Sequence, residues 1–592
     1  MGFGTGGARR EWPAWVLAGL VLLAVLLAVA PWGNYPVNDD WQYALSARHF
    51  AKTNRIAIDT GIAPSLVGQL AMAWPFMKVF GFSHRLLRLL TLSVAAFLLW
   101  VCDALLIEWE VPRRVRLRVL LVLVLNPLFV NLAASFMTEI YGYTPALMGA
   151  LVWQRGRRRA QADGAPQVIR WGAAVWAGVL VGATFWTRQY CVVVFPALLC
   201  ATAGRLVLSR DWRRLALSWL PMVAGSVAFA ATIGAYVVYA RHYGLLKPAF
   251  LNPLDNVMGW SAVDLNLGAG IQMVYLTAYL LPLLALWPVS RHDWPRVIRS
   301  CLVTLGFGIT VYSLIQLAAG SDWGSLGLHR LFPFNSNLIH PRGLGPVLLT
   351  DEFWMSSEPY LIWPRSVWLV VTYVVIGASV LWGLPLATAG PWRGTSIARL
   401  EGLTFSAAFV GLSLAAIVES YGRDGFDRYG FPLVIGTAFL LAILLARSEE
   451  TSGGPPPRSS RAVALYALAL APIAFFTVAG AHDYFRWNDA RWRLVERARK
   501  LGVPSTSIDG GYEVNGWLSF EQLEKHRDTV ATSACIGKCR CDIPGLTSLW
   551  NCYDDSYRVG TVLRDGYQEI SRVQPRYWLG AGPALILSRR PK

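Results

Sequence analysis

Apolar residues along this chain gather into blocks of about 18 to 22, separated by short polar connections that are mostly basic. Blocks of that length suit a helix crossing the hydrocarbon core of a bilayer. Their continuity excludes the alternating apolar–polar pattern of a membrane barrel strand. Lipid offers the backbone no hydrogen-bond partners, so spans of this kind must be helical. The pattern predicts about thirteen spans, beginning near residues 13–31, 86–108 and 119–135, with a fourth returning to Arg155. Others follow at about 170–186, 190–207, 216–240, 268–288 and 300–318. Spans ten and eleven flank Arg393 and Arg399, a twelfth follows Tyr429, and the last covers about 462–480. Ala28-Val29-Ala30 imitates a signal-peptidase site, but Pro31 directly after it opposes cleavage, so the first helix is retained.

Charge orients the spans. Arg9 and Arg10 precede the first, and the clusters Arg113 to Arg118, Arg155 to Arg159, Arg210 to Arg214 and Arg291 to Arg299 fall on one side. The positive-inside rule then places the N-terminus in the cytoplasm and the C-terminus outside. The first outer loop, about 32–85, contains two amphipathic stretches near 40–52 and 63–80 that suit helices on the membrane surface. A Gly-, Pro- and Ser-rich linker from Ser448 to Arg461 is expected inside.

Composition supports the class. Of 592 residues, 55% are hydrophobic and 15% charged, where a soluble domain carries roughly a quarter charged residues. Mean hydropathy is +0.41. The net charge of +18 is distributed as topology clusters, which argues against nucleic acid as a partner. The fold class is therefore an all-α polytopic membrane protein, residues 1–480, with a small α+β extracytoplasmic domain over 481–592. In that tail Asn488 to Lys500 reads as a helix, and Thr561-Val562-Leu563 and Ala584 to Ser588 read as strands. Cys535, Cys539, Cys541 and Cys552 lie there, and an oxidising compartment favours disulfides over a thiolate metal site, with connectivity open. Cys102, Cys191, Cys200 and Cys301 sit in apolar spans as packing residues.

Candidate chemistry gathers on the outer side. Asn38-Asp39-Asp40-Trp41-Gln42-Tyr43-Ala44 places two adjacent carboxylates directly after the first span. In isolation either aspartate also suits the N-cap of the following surface helix. Glu139 stands near a predicted membrane boundary, where an ionisable group is costly and more often functional. Arg188, and the Arg428-Tyr429 pair, also suit interfacial anchoring. His329, His340 and His242 are too scattered for a metal site.

The order of these motifs resembles the GT-C superfamily of membrane glycosyltransferases, which includes the protein O-mannosyltransferases and the aminoarabinose transferases that modify lipid A. The resemblance covers about residues 1–480. It is carried by Asp39-Asp40, Tyr43-Ala44, Ala47-Arg48, Pro64, Phe80-Gly81 and Arg88-Leu89 in the first loop and second span, then by Thr138-Glu139, Thr187-Arg188-Gln189 and Arg428-Tyr429-Gly430-Phe431-Pro432. Several superfamily members place a lysine before the loop proline, where this chain has Ala63. The resemblance implies a glycosyltransferase that takes sugar from a polyprenyl-phosphate donor on the outer face of a bacterial cytoplasmic membrane. The acceptor is a lipid, a polysaccharide or a protein. It implies Asp39 as general base in an inverting displacement, Asp40 orienting it or the acceptor, and Glu139 as a second acidic contact. Tyr43, Arg48, Arg55, Arg188, His340, Arg342, Arg428 and Tyr429 are the candidate substrate contacts, with the donor phosphate falling to an arginine or to the His/Arg cluster. No cofactor is required, although a divalent cation at Asp39 and Asp40 is the alternative used by some members. The rival reading is a transporter or flippase for lipid-linked glycans, which predicts charged mid-membrane residues and inverted repeats. A third is a catalytically silent scaffold with the same fold.

Overall fold

A computed structural model describes residues 12–58, 62, 65–164, 169–208, 212–245, 261–287, 294–318, 331–334, 337–345, 362–388, 396–421, 427–451, 460–511, 513–518 and 556–591. The four tail cysteines, Ala63-Pro64, His329 and most of the linker before Arg461 lie outside these residues. The helices are α1 (Ala14–Val29), α2 (Asp40–Thr53), α3 (Val67–Phe80), α4 (His84–Glu108), α5 (Arg113–Val124), α6 (Pro127–Ala133), α7 (Thr138–Ala162), α8 (Trp171–Ala183) and α9 (Val194–Leu208). They continue as α10 (Trp212–His242), α11 (Ala262–Leu284), α12 (Trp294–Ala318), α13 (Arg365–Ala378), α14 (Gly383–Thr388), α15 (Ile397–Tyr421), α16 (Phe431–Thr451) and α17 (Ser460–Lys500).

Among the described residues eight helices are long and apolar enough to cross a membrane, or nine when α5 and α6 count as one broken span. Three shorter apolar helices occupy the places expected for spans one, five and six. The helix at the fourth place, α7, is mostly buried and runs from Glu139 to an arginine cluster. Length and apolarity alone thus stop short of thirteen. The break between α5 and α6 turns the chain by 66°. Pro127 cannot donate into a continuing helix, and the Asn126 side chain caps the new start by accepting from the Leu128 amide at 2.9 Å. The α8–α10 contact is close because Gly178 and Gly182 lie against the α10 backbone at Gly225 and Phe229, leaving no room for a Cβ at either position.

Helices α2 and α3 stand where two surface helices were expected in the first loop, but α2 is buried within the protein from Asp40 to Ala47 rather than laid on a surface. The tail departs from expectation in two respects. The last span and the helix read at Asn488 to Lys500 are a single 41-residue helix, α17, roughly 60 Å long. After Pro472 nothing in its sequence breaks it. Its first half is apolar, and its second half lays Trp487, Leu494, Val495 and Ala498 on a small sheet. That sheet has strand order β3-β4-β6-β5, with β3 (Ile508–Asp509) parallel to β4 (Tyr557–Gly560). Strands β5 (Gln568–Val573) and β6 (Leu585–Arg589) complete it in antiparallel fashion. Thr561-Val562-Leu563 is not a strand: β4 ends at Gly560, and the three residues lead into a turn at Asp565-Gly566. A two-residue hairpin, β1 (Ile339–His340) with β2 (Gly343–Leu344), packs on α17.

Candidate active site

The chain leaves α1 at Val29 and enters α2 at Asp40 through a buried turn. Asn38 there adopts a left-handed backbone, φ 55°, which asparagine tolerates better than most residues. Beyond it the two aspartates have different surroundings. Asp40 is 2% exposed, and its two oxygens accept the amide N–H of Val37 at 2.6 Å and of Phe136 at 3.2 Å. Burial pushes its carboxyl up to about 7, against the pull of Arg88 and those two amides, with Glu513 adding to the rise. Asp39 occupies the N-cap position of α2 but makes no side-chain capping bond. Its side chain is 22% exposed and meets the Arg428 guanidinium at 2.8 Å.

A second pair lies across the site. Glu139 enters in the first turn of α7, fully buried, with Arg188 at 3.4 Å and the Tyr190 hydroxyl donating to it at 3.4 Å. Arg188 sits between two 3-10 turns, Thr184–Trp186 and Gln189–Val193. Its guanidinium lies 4.6 Å from the Tyr190 ring centre and 5.7 Å from that of Tyr429. Arg428 lies 5.4 Å from the same Tyr429 ring. Such packing over aromatic faces suits arginine and fixes its plane. Tyr43, one turn along α2 from Asp39, is buried within the electrostatic reach of Asp39, Arg188, Arg428 and Glu139. Burial first, then the carboxylates, hold its hydroxyl protonated against the two arginines.

The structure thus brings together Asp39, Tyr43, Glu139, Arg188, Arg428 and Tyr429. Asp40 stands behind them as a brace. Arg48 turns instead to the tail, with its guanidinium 4.6 Å from the Trp517 ring centre. Arg55 is exposed beyond the end of α2. His340 accepts the Arg342 amide N–H at 3.2 Å within the β1–β2 hairpin, and Arg342 lines a cavity with Tyr484, Trp487 and Tyr577. Asp427 links the hairpin to the cluster: it accepts amide N–H bonds from Asn337, Leu338, Ile339 and Arg428.

Two residues of the site, Asp427 and Tyr190, carry no motif in the sequence reading, and a third, Arg88, enters it only in the Arg88-Leu89 pair that opens the second span. Asp427 seats Arg428, and its only signal is an acid immediately before that arginine. Tyr190 follows Arg188 by two residues and had no signal beyond proximity. Arg88 marked the start of the second span. It also donates to the carbonyls of Pro31, Gly33 and Tyr35 at 2.6, 2.8 and 3.1 Å, which holds the loop that leads to Asp39.

The chain is similar in structure to ArnT and AglB. ArnT from Cupriavidus metallidurans in the apo state is 14% identical, with 84% of each chain covered and a TM-score of 0.34. ArnT bound to undecaprenyl phosphate is 13% identical, with 98% of each chain covered and a TM-score of 0.37. The archaeal oligosaccharyltransferase AglB from Archaeoglobus fulgidus, in complex with an inhibitory peptide and a dolichol-phosphate, is 15% identical. In that comparison 82% of this chain and 57% of AglB are covered, with a TM-score of 0.39. No protein-family model matches the chain, and no curated protein matches it by sequence.

Among the described residues no group of three or more His, Cys, Asp or Glu side chains is placed to hold a metal ion. Asp39 and Asp40 do not make a bidentate cradle, because Asp40 directs both oxygens to backbone amides while Asp39 faces a guanidinium. What the cluster offers is two fixed cations, one half-wet carboxylate and three phenolic rings.

Proposed function

We propose that the protein is a glycosyltransferase that moves a sugar from a polyprenyl-phosphate carrier to an acceptor at the outer face of a bacterial cytoplasmic membrane. The observation that carries this reading is the placement of Asp39. It is a reachable carboxylate 2.8 Å from the Arg428 guanidinium, so a proton acceptor and a phosphate-binding cation stand side by side. Of the arginines weighed for the donor phosphate, Arg188 and Arg428 are in the cluster, and the phosphate falls to them. A guanidinium matches phosphate oxygens as a fork and keeps its charge at any working pH.

The chemistry follows from those roles. An acceptor hydroxyl or amine attacks the anomeric carbon and passes its proton to Asp39. The bond from that carbon to the phosphate oxygen breaks, and the electron pair leaves on the lipid phosphate, where the arginines balance the charge. Direct displacement inverts the anomeric centre. General-base assistance of this kind contributes roughly 10²–10⁴-fold. Glu139 keeps Arg188 in place and supplies a second acidic contact. No step is routed through a divalent cation, given the surroundings of Asp39 and Asp40.

The basic clusters at the far ends of α4, α7 and α15 support a reading with that side in the cytoplasm and the site outside. Lipid, cell-wall polysaccharide and protein all remain acceptor classes for this site. The test is release of polyprenyl phosphate from a panel of polyprenyl-phosphate sugars by the purified protein, followed by mass spectrometry. Release dependent on Arg188 and Asp39 supports the transferase. Donor binding without release in every acceptor mixture overturns it in favour of a transporter of lipid-linked glycans.

A further inference from the structure

The tail holds a motif that the proposed chemistry does not use: Asp509-Gly510, then Asn515-Gly516-Trp517. The Asn515 side chain accepts the Gly510 amide N–H at 2.9 Å and donates to Asp509 at 2.9 Å. This closes a tight loop, and the helical segment 513–518 leads out of it. The segment is pressed against the first outer loop. Gly516 lies so close to the indole of Trp41 that any Cβ would overlap the ring. Trp517 packs on Phe82 and His84 with ring centres 5.9 and 4.5 Å away, and Arg48 covers it.

Between these contacts sits Glu513, buried to 0% exposure with Arg491 of α17. One oxygen meets the Arg491 guanidinium at 2.8 Å, and the other accepts the Asn38 amide N–H at 3.0 Å. Arg491 is fixed in turn by Asn488 at 2.9 Å and by the Trp487 ring at 4.6 Å. The rest of the loop is tied to the same helix. The Tyr35 hydroxyl donates to Asp489 at 2.6 Å, and Arg486 donates to the Ala30 carbonyl at 2.9 Å.

We infer that Glu513 is a positioning residue for Asp39, acting from the tail through the Asn38 backbone. Asn38 carries the left-handed turn that immediately precedes Asp39. A carboxylate bonded to the Asn38 amide N–H and anchored by a buried arginine fixes the entry to that turn. Release of this bond lets the backbone relax toward the conformations that L-residues prefer, and Asp39 moves with it. A misplacement of about 1 Å in a reacting group is enough to cost up to roughly 10²-fold in rate. The tail is therefore a strut of the catalytic loop. This inference rests on the reading of Asp39 as the base.

The experiment is a double-mutant cycle between Glu513→Gln and Asp39→Asn in the full-length protein, read as polyprenyl-phosphate release. Hydrogen exchange at the Asn38 and Asp39 amides is measured on the same samples. Glu513→Gln is expected to lower turnover about tenfold in the native background and by less than about twofold in the Asp39→Asn background, because residues acting through one another are not additive. Exchange at Asn38 and Asp39 is expected to rise while exchange in β4 to β6 stays unchanged. Asn38→Val, whose β-branched side chain disfavours the left-handed backbone, is expected to lose activity as Glu513→Gln does. Equal losses in both backgrounds, or unchanged exchange at Asn38 and Asp39, would overturn the strut. Absence of release by the native protein, together with increased exchange in Glu513→Gln, would reject the transferase reading and leave the strut standing.

Discussion

Carboxylates meet arginines at both ends of the helix bundle, and the two ends use them differently. At the C-terminal ends of α4 and α7, Asp103 meets Arg116 at 2.7 Å, and Glu108 meets Arg155 and Arg158 at 3.3 and 3.1 Å. Arg157 of α7 pairs with Glu401 of α15, both buried. These pairs tie neighbouring helices together. At the other end, roughly 24–29 Å back along α7 from Arg155–Arg158 to Glu139, the pairs Asp39–Arg428 and Glu139–Arg188 surround shared tyrosine faces. One of their carboxylates reaches solvent. The lesson is that an ion pair is read by its surroundings: sealed between helices, as Arg157–Glu401 is, it is a strut, and opened on one side beside an aromatic ring, as Asp39–Arg428 is, it is a place for a charged ligand.

That comparison can be broken in four ways. The largest effect belongs to Arg157→Ala, which removes the guanidinium that pairs with the buried Glu401. Its cost is about 3–5 kcal/mol of stability, read as the unfolding midpoint in detergent, with turnover per folded molecule unchanged. Next is Arg188→Ala. It is expected to lower donor turnover per folded molecule on the order of 10²-fold, since a charged hydrogen bond contributes about 1.5–3 kcal/mol, and also to lower the unfolding midpoint, because the fully buried Glu139 loses the guanidinium beside it. Reversal of these two outcomes would erase the distinction between the ends.

The third concerns Asp40. Its folded carboxyl holds a proton up to about pH 7, whereas the unfolded chain releases it near 3.8. Between those values the folded state binds more protons, so this group's contribution to stability falls as pH rises and levels off above about 7. The fall amounts to about 1 kcal/mol between pH 6 and 7. Unfolding midpoints across pH 4 to 8 check it, and Asp40→Asn is expected to flatten the profile. The smallest effect is Arg55→Ala: the side chain is exposed and outside the cluster, so turnover is expected to stay within about twofold.

Much of this was legible in the chain itself. Apolar blocks located the spanning helices, because lipid forces a continuous helical signal. Asp39-Asp40, Glu139, Arg188 and Arg428-Tyr429 stood out because charge at a span boundary is rare enough to be noticed. Their convergence was not legible, since it depends on how α2, α7, the turn at Arg188 and the start of α16 pack. Nor was the division between Asp39 and Asp40, which is set by the distant amide of Phe136. Arg48 and Arg55 shared the loop and the charge of the true neighbours, but their backbone positions point them elsewhere. Glu513 carried no signal at all. Its partners lie 22 and 475 positions away in the chain, and only the folded tail brings them together.

The central claim is that Asp39 removes the acceptor proton as a lipid-phosphate sugar is cleaved. The most direct measurement compares wild type with Asp39→Asn on a panel of polyprenyl-phosphate sugars, with released polyprenyl phosphate followed by mass spectrometry. The account predicts release by wild type and a loss of roughly 10²-fold or more in the variant, with the unfolding midpoint little changed. Equal release by the two proteins would contradict it and remove Asp39 from the role of base.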